Sequence, residues 1–158
     1  MTSYPHIILI IHNVRSAHNV GSIFRTAEAA GVSRIYLTGY TPAPLDRFGR
    51  TQAEIKKTAL GAEKIVSWVY ASRIGDVFKK LKKENFYIIG VEQSSRSINY
   101  KSVKPKTKTA FIFGNEIRGL APKILTHCDR VVEIPMKGQK ESLNVSVAAG
   151  IVLFHILN

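Results

Sequence analysis

The sequence predicts an α/β fold: a mainly parallel sheet with helices on both faces. Three observations point there. Short, β-branched apolar runs recur along the chain, the pattern of strands buried on both sides. Segments with helical spacing of apolar residues separate them, so strand and helix alternate. The 158 residues, 45% of them hydrophobic, are enough for one folded domain with its own core, expected to span 1–158.

The elements follow in order. "HIILIIHNV" is expected to be a buried strand; it is too short to cross a bilayer and carries neither a basic leader nor a small-residue cleavage site. "NVGSIFRTAEAAG" sets Val20, Ile23, Phe24, Ala27 and Ala30 at helical spacing, with Asn19 as the expected N-cap and Gly31 as the stop. "RIYLTGY" reads as a second strand, "TPAPLDRFGR" as a loop and "TQAEIKKTALGAEK" as a short helix or helical turn. "SRIGDVFKKLKKEN" is a helix with Ile74, Val77, Phe78 and Leu81 on one face. "FYIIGVE" and "TAFIFG" are strands joined by an exposed basic stretch, "SVKPKTK". A helix near "LAPKILTHC", the strand "RVVEIP" and a closing apolar helix over "SLNVSVAAGIVLFHILN" complete the pattern.

Charge narrows the partners. Lys and Arg number 23 against 11 Asp and Glu, a net +12 that favours a polyanion, nucleic acid before a membrane surface, because the basic residues are spread along the chain. The single cysteine, Cys128, excludes an internal disulfide and a Cys-rich zinc site and suits a reducing, cytoplasmic setting. It is expected to be a small buried apolar residue. The five histidines are scattered, His155 being expected in the core, and no His-Glu-x-x-His occurs, so no metal is expected. The dinucleotide and phosphate-loop glycine patterns are absent as well.

The polar residues of interest cluster just after strands: Asn13 to Arg25, Gly114 to Gly119, and Pro135 to Asn144. In a parallel sheet these points share one edge and can form one site. "IPMKGQKESLNVSVAAG" sets Glu141, Ser142 and Asn144 at the mouth of the most hydrophobic element, where packing alone has no use for them.

"NVGSIFRTAEAAG", "FIFGNEIRGL" and "IPMKGQKESLNVSVAAG" resemble, in order and near the expected separations, the three motifs of the SpoU (TrmH-like) branch of the SPOUT RNA methyltransferases. The resemblance covers nearly the whole chain and implies a SPOUT fold with a C-terminal trefoil knot, a homodimer, and S-adenosylmethionine-dependent methylation of a ribose 2'-hydroxyl in tRNA or rRNA. It implies that the "IPMKGQKE" stretch wraps the cofactor, with Val91, Gly114, Ile134, Met136 and Leu143 holding adenine and ribose. Gly114 and Gly138 suit close approach or sharp turning of the main chain; ordinary turn glycines are the plain alternative.

Arg25 matches the family's catalytic arginine and Asn19 its motif-one asparagine. A guanidinium is always protonated, so Arg25 suits the target phosphate and the developing alkoxide better than the role of base, leaving a phosphate oxygen or water to take the proton. Glu116 matches the motif-two acid that would fix neighbouring groups, and Ser142 and Asn144 the motif-three pair that would orient Arg25 and the ribose. On residues alone, Ser142 and Asn144 could equally be a helix cap and a satisfied polar group. Where many relatives have Gly-Ser-Glu-Gly this chain has Gly-Asn-Glu-Ile-Arg, and Arg118 adds charge beside the site. Arg47 and Arg50 around Phe48 offer charge for phosphate and a ring for stacking, with a solvated basic loop as the alternative. The second reading of the whole chain is a catalytically silent RNA-binding protein of the same fold.

Overall fold

The computed structural model describes residues 4–158, built on one sheet of seven strands. Along the chain run β1 (His6–His12), α1 (Ala17–Ala29), β2 (Arg34–Thr38), α2 (Ala53–Ala59), β3 (Ser67–Ala71), α3 (Ile74–Lys83) and β4 (Tyr87–Val91). Then come β5 (Ile98–Asn99), β6 (Lys108–Phe113), α4 (Pro122–Leu125), β7 (Arg130–Glu133) and α5 (Val145–Ile156). The strand order is β3-β2-β1-β6-β4-β7-β5, and every pairing is parallel.

Each central strand buries both faces, which is why its sequence is a continuous apolar run and not an alternating one. Ile7, Leu9 and Ile11 of β1 face one core with α1, α2 and α5; Ile8 and Ile10 face the other with α3 and α4. The α/β class with helices on both faces is thus the observed one. Phe24, Phe78, Phe111 and Phe113 are fully buried, each contributing roughly 1.5–3 kcal/mol relative to exposure.

Several local expectations need correction. The structure adds β3 and β5: "SWVYA" lies on the sheet edge and is mostly exposed, so it lacks the apolar run that marks the others, and β5 is only two residues long. Helix α1 starts earlier than expected, because Ser16 is its N-cap and accepts from the Asn19 N–H at 3.1 Å; Asn19 is a buried residue of the first turn. The closing helix starts at Val145, with Asn144 as N-cap. His155 is exposed and not in the core, standing edge-on to Tyr100 at 5.1 Å, since Val152, Leu153 and Ile156 take the inner face of α5. Gly31, at φ +80°, ends α1 as expected, and Cys128 is buried.

Helix α1 sits unusually close to α2 because Gly21 has no side chain. A Cβ there would collide with the Thr58 hydroxyl and come within 2.5 Å of the Ile55 carbonyl oxygen. Gly21→Ala should therefore lower the melting temperature by roughly 3–10 °C, the outcome of an overpacked core contact in a chain of this size. Gly75→Ala, on α3 with open space around it, should cause no loss. Thermal unfolding followed by circular dichroism checks both.

Candidate active site

The chain leaves β1 through α1 over one face of the sheet towards β2, and leaves β6 through α4 over the other face towards β7. The direction of winding thus reverses between the adjacent strands β1 and β6, and a crevice opens beyond their carboxyl ends. The turn after β6 spans it. Asn115 donates from Nδ2 to the Asn13 carbonyl and to the Tyr40 hydroxyl oxygen, both at 3.0 Å, while its Oδ1 accepts from the N–H groups of Ile117 and Arg118. Gly114 is required here, because a Cβ would lie 2.7 Å from both the Gly119 carbonyl oxygen and Leu120.

Glu116, next in that turn, reaches back across the crevice. Its carboxylate accepts from the Arg15 N–H (3.1 Å), the Ser16 N–H (3.0 Å) and Asn19 Nδ2 (3.4 Å). Asn19 in turn accepts at Oδ1 from Asn144 Nδ2 at 3.2 Å, and Asn144 Oδ1 caps α5 by accepting from the Ser146 N–H at 2.8 Å. Asn144 is thus a helix cap and a satisfied polar group, its acceptor on the Ser146 N–H and its amide donating to Asn19, and no hydrogen bond joins it to Arg25. Burial would raise the Glu116 pKa, but hydrogen bonds from the backbone at Ser16, at Glu116 itself and at Arg15, and from the Asn19 side chain, outweigh it and hold the carboxyl below its ordinary value.

Beside this group a cleft opens over the ends of β4, β6 and β7, roofed by the start of α5. Val91, Gly114, Ile134, Met136 and Leu143 all line it, together with Glu116 and Ser142. Sequence reasoning missed Glu92, Gln93, Phe113 and Glu133, which also line it. They sit at or beside the ends of the same strands, and that position was the available signal. Glu92 braces the turn after β6 by accepting from the Leu120 N–H at 2.7 Å, and Gln93 Nε2 donates to the Glu141 carbonyl at 2.7 Å, tying the 134–144 stretch to β4. In a chain of net charge +12, the cleft lining contains three glutamates and no Lys or Arg. That suits a cationic, partly apolar occupant and disfavours phosphate.

One expected member stands apart. Arg25 is exposed on α1, six residues past Asn19, hence about 9 Å further along the axis and about 120° around it, and no hydrogen bond or ion pair joins it to a described residue. Ser142 lines the cleft without contacting Arg25 by a hydrogen bond. Gly138 has open space around it and an ordinary φ, so no close approach requires glycine there. Arg118 is exposed in the turn carrying Glu116, whereas Arg47, Phe48 and Arg50 lie further out, beyond Tyr40.

The Glu116 bonds imply a pH signature. A carboxyl whose folded pKa lies below its unfolded value contributes stability that is fully present above the unfolded pKa and is lost as pH falls through the folded one. Glu116→Gln should lower the melting temperature by a few degrees at neutral pH, roughly the loss of one charge-assisted hydrogen bond. The gap from the parent should narrow on acidification below the carboxylate range. A gap that stays constant with pH would mean that ionised Glu116 does not brace the crevice.

A sequence model of the SpoU rRNA Methylase family matches residues 6–154. The 23S rRNA (guanosine-2'-O-)-methyltransferase RlmB of Neisseria meningitidis serogroup B is 36% identical over 151 residues, which are 96% of this chain and 58% of that protein. The chain thus spans less than two thirds of the length of such curated relatives. Among solved structures, a TrmH/SpoU tRNA modifying enzyme of A. aeolicus superposes with a TM-score of 0.83 at 29% identity, covering 96% of this chain and 73% of that one. An AdoMet-bound rRNA methyltransferase of Sinorhizobium meliloti gives a TM-score of 0.84 at 25% identity, covering 97% and 57%. The family match spans every strand of the sheet and the crevice beyond their ends: the chain belongs to the SpoU rRNA methylase family.

Proposed function

We propose that residues 1–158 form one methyltransferase domain that transfers a methyl group from S-adenosylmethionine to a ribose 2'-hydroxyl of tRNA or rRNA. The observation that carries this reading is an acidic, partly apolar cleft opening directly beside the Glu116–Asn19–Asn144 hydrogen-bonded group in an otherwise strongly basic chain. The cleft fits the cofactor chemically. Val91, Ile134, Met136 and Leu143 suit an adenine ring, the glutamates suit a ribose diol and a sulfonium, and Gly114 lets main chain approach. We read the 134–144 stretch as the knotted loop over that cleft. When bound, the cofactor supplies an electrophilic methyl group on a cationic sulfur.

The residues of the chain divide the remaining tasks. Glu116 and Asn144 hold Asn19 in one orientation, and the three together fix the wall against which the ribose is positioned. Arg15 and Arg118, on the outer side of the crevice, suit the flanking phosphates. Arg25 binds the target phosphate and stabilises the developing alkoxide, while a phosphate oxygen or water takes the proton. The relatives named as 23S rRNA methyltransferases support an RNA substrate, and both RNA and S-adenosylmethionine suit the cytoplasm.

A homodimer belongs to this reading. On α5, Val147 is 49% exposed and Phe154 45%, with Ile151 between them on the same face. Thr26 of α1 lies beside Gly150, so the exposed side of α1 that carries Arg25 is continuous with this apolar stripe. A second copy covering the stripe would bring Arg25 into an interface, which explains why it stands apart from the group within its own chain.

Calorimetry with S-adenosylhomocysteine should give one site per subunit without RNA; no heat and no thermal shift would sink the reading. Arg25→Ala should keep that binding and lose methyl transfer, and a substrate RNA with a 2'-deoxy target nucleotide should bind without being methylated. Phe154→Asp should convert a dimer to a monomer in light scattering, and a parent protein that is monomeric at micromolar concentration would remove the second subunit from the account.

A further inference from the structure

The crevice continues past Tyr40 into a concavity that the methyl-transfer chemistry does not use. Trp68 and Tyr70 occupy alternate positions of the edge strand β3 and so face the same side of the sheet, in register with Ile35 and Leu37. Helices cover that side elsewhere, but here the cover stops and Tyr70 is 49% exposed. The 40–50 loop bends across the strand end, held by Asp46, whose carboxylate accepts from the N–H groups of Phe48 and Arg50 and from the Arg50 guanidinium at 2.8–2.9 Å. Phe48 stands out from it, 67% exposed, with the guanidinium carbons of Arg47 and Arg50 at 4.7 and 5.0 Å from its ring centre. Tyr40 joins the two regions, because it lines both the concavity and the crevice and its hydroxyl accepts from Asn115, the neighbour of Glu116.

Trp68 packs partly against the core and the Tyr70 hydroxyl donates to the Gly39 carbonyl at 2.8 Å, but packing does not account for the exposed ring faces. Asp46 closes the loop without help from a ring at position 48, and Tyr40 and Tyr70 leave about half, Phe48 about two thirds, of their surface in water. The second copy proposed above covers the α5 stripe, whereas the guanidinium groups of Arg47 and Arg50 beside Phe48 favour a polyanionic occupant here. A nucleobase fits both features: every base has a π-face to stack on a ring, and its phosphates seek guanidinium groups. Bases inside a duplex are stacked on one another and out of reach.

We propose that the concavity of Tyr40, Phe48, Trp68 and Tyr70 receives an unpaired base next to the methylated nucleotide, so that the substrate is a single-stranded segment, a loop or bulge, and not continuous duplex. This rests on the RNA methyltransferase reading and specifies its substrate class. The link through Tyr40 and Asn115 sets the captured base at a fixed distance from the Glu116 group.

Trp68 is the only tryptophan, so its emission reports directly on the concavity. The probes are oligoadenylate and a blunt RNA duplex with the same number of phosphates, each followed by Trp68 emission and by anisotropy of an end label. Oligoadenylate should bind and quench Trp68, and the duplex should leave the emission unchanged. Phe48→Ala and Phe48→Leu should weaken oligoadenylate binding by about five- to a hundredfold, the range for one lost base–aromatic stack, with Phe48→Tyr close to the parent. Duplex binding should barely respond to any of the three. Equal quenching by duplex, single-strand binding indifferent to the ring at position 48, no oligoadenylate binding, or Trp68 emission that changes on dilution of the protein alone would each overturn the proposal. S-adenosylhomocysteine binding by Phe48→Ala should match the parent. Its absence in the parent would sink the methyltransferase reading and leave the stacking result standing.

Discussion

One carboxylate holds the site together. Glu116 takes hydrogen bonds from two backbone N–H groups and one side chain on the far side of the crevice, about a hundred residues earlier in sequence. The N–H groups of Arg15 and Ser16 lie just before a helix, where no intrahelical partner exists for them. A neutral acceptor could bond them more weakly, but an ionised one also orders Asn19, and through Asn19 the cap of α5. The start of α1, the turn after β6 and the start of α5 are therefore tied together by one hydrogen-bonded chain, and each sequence motif contributes one of the three.

Around that unit the charges are sorted. A strongly basic chain could have carried its surplus everywhere, yet the cleft over β4, β6 and β7 is lined by glutamates and apolar groups, and the arginines stand outside it. The result is two adjacent compartments with opposite preferences, one for a cation and one for a polyanion. At short range in a partly desolvated cleft this separation is felt strongly, whereas on the open surface salt would blunt it. Discrimination between the two ligands thus needs no moving part.

Much of this was legible in the sequence because parallel strands buried on both faces must be continuously apolar, and the polar residues that follow them must meet at one edge. The fold class, the central strands and the meeting of the three strand-end segments follow from that rule, whereas the individual cleft-lining residues follow from the family resemblance. Strand β3 did not, since an edge strand half in water has no such run. The beginning of α1 was misjudged because two capping residues, Ser16 and Asn19, lie three apart and only geometry decides which side chain turns back on the backbone. His155 was misjudged for a different reason: α5 is apolar on nearly every side, so periodicity does not say which face is inward. The position of Arg25 was not readable either, because helical spacing from Asn19 fixes its direction relative to that residue without saying what lies opposite.

The bond between Asn144 and Asn19 joins residues 125 positions apart. Contacts of that separation form late in folding, after the entropy of closing the intervening chain has been overcome by other pairings. A partly folded chain can hold the first strands and α1 without the closed Glu116–Asn19–Asn144 group, since the amide that completes it comes from the cap of α5. Closure of the Glu116–Asn19–Asn144 group therefore depends on the segment that starts α5, however well the earlier strands are paired.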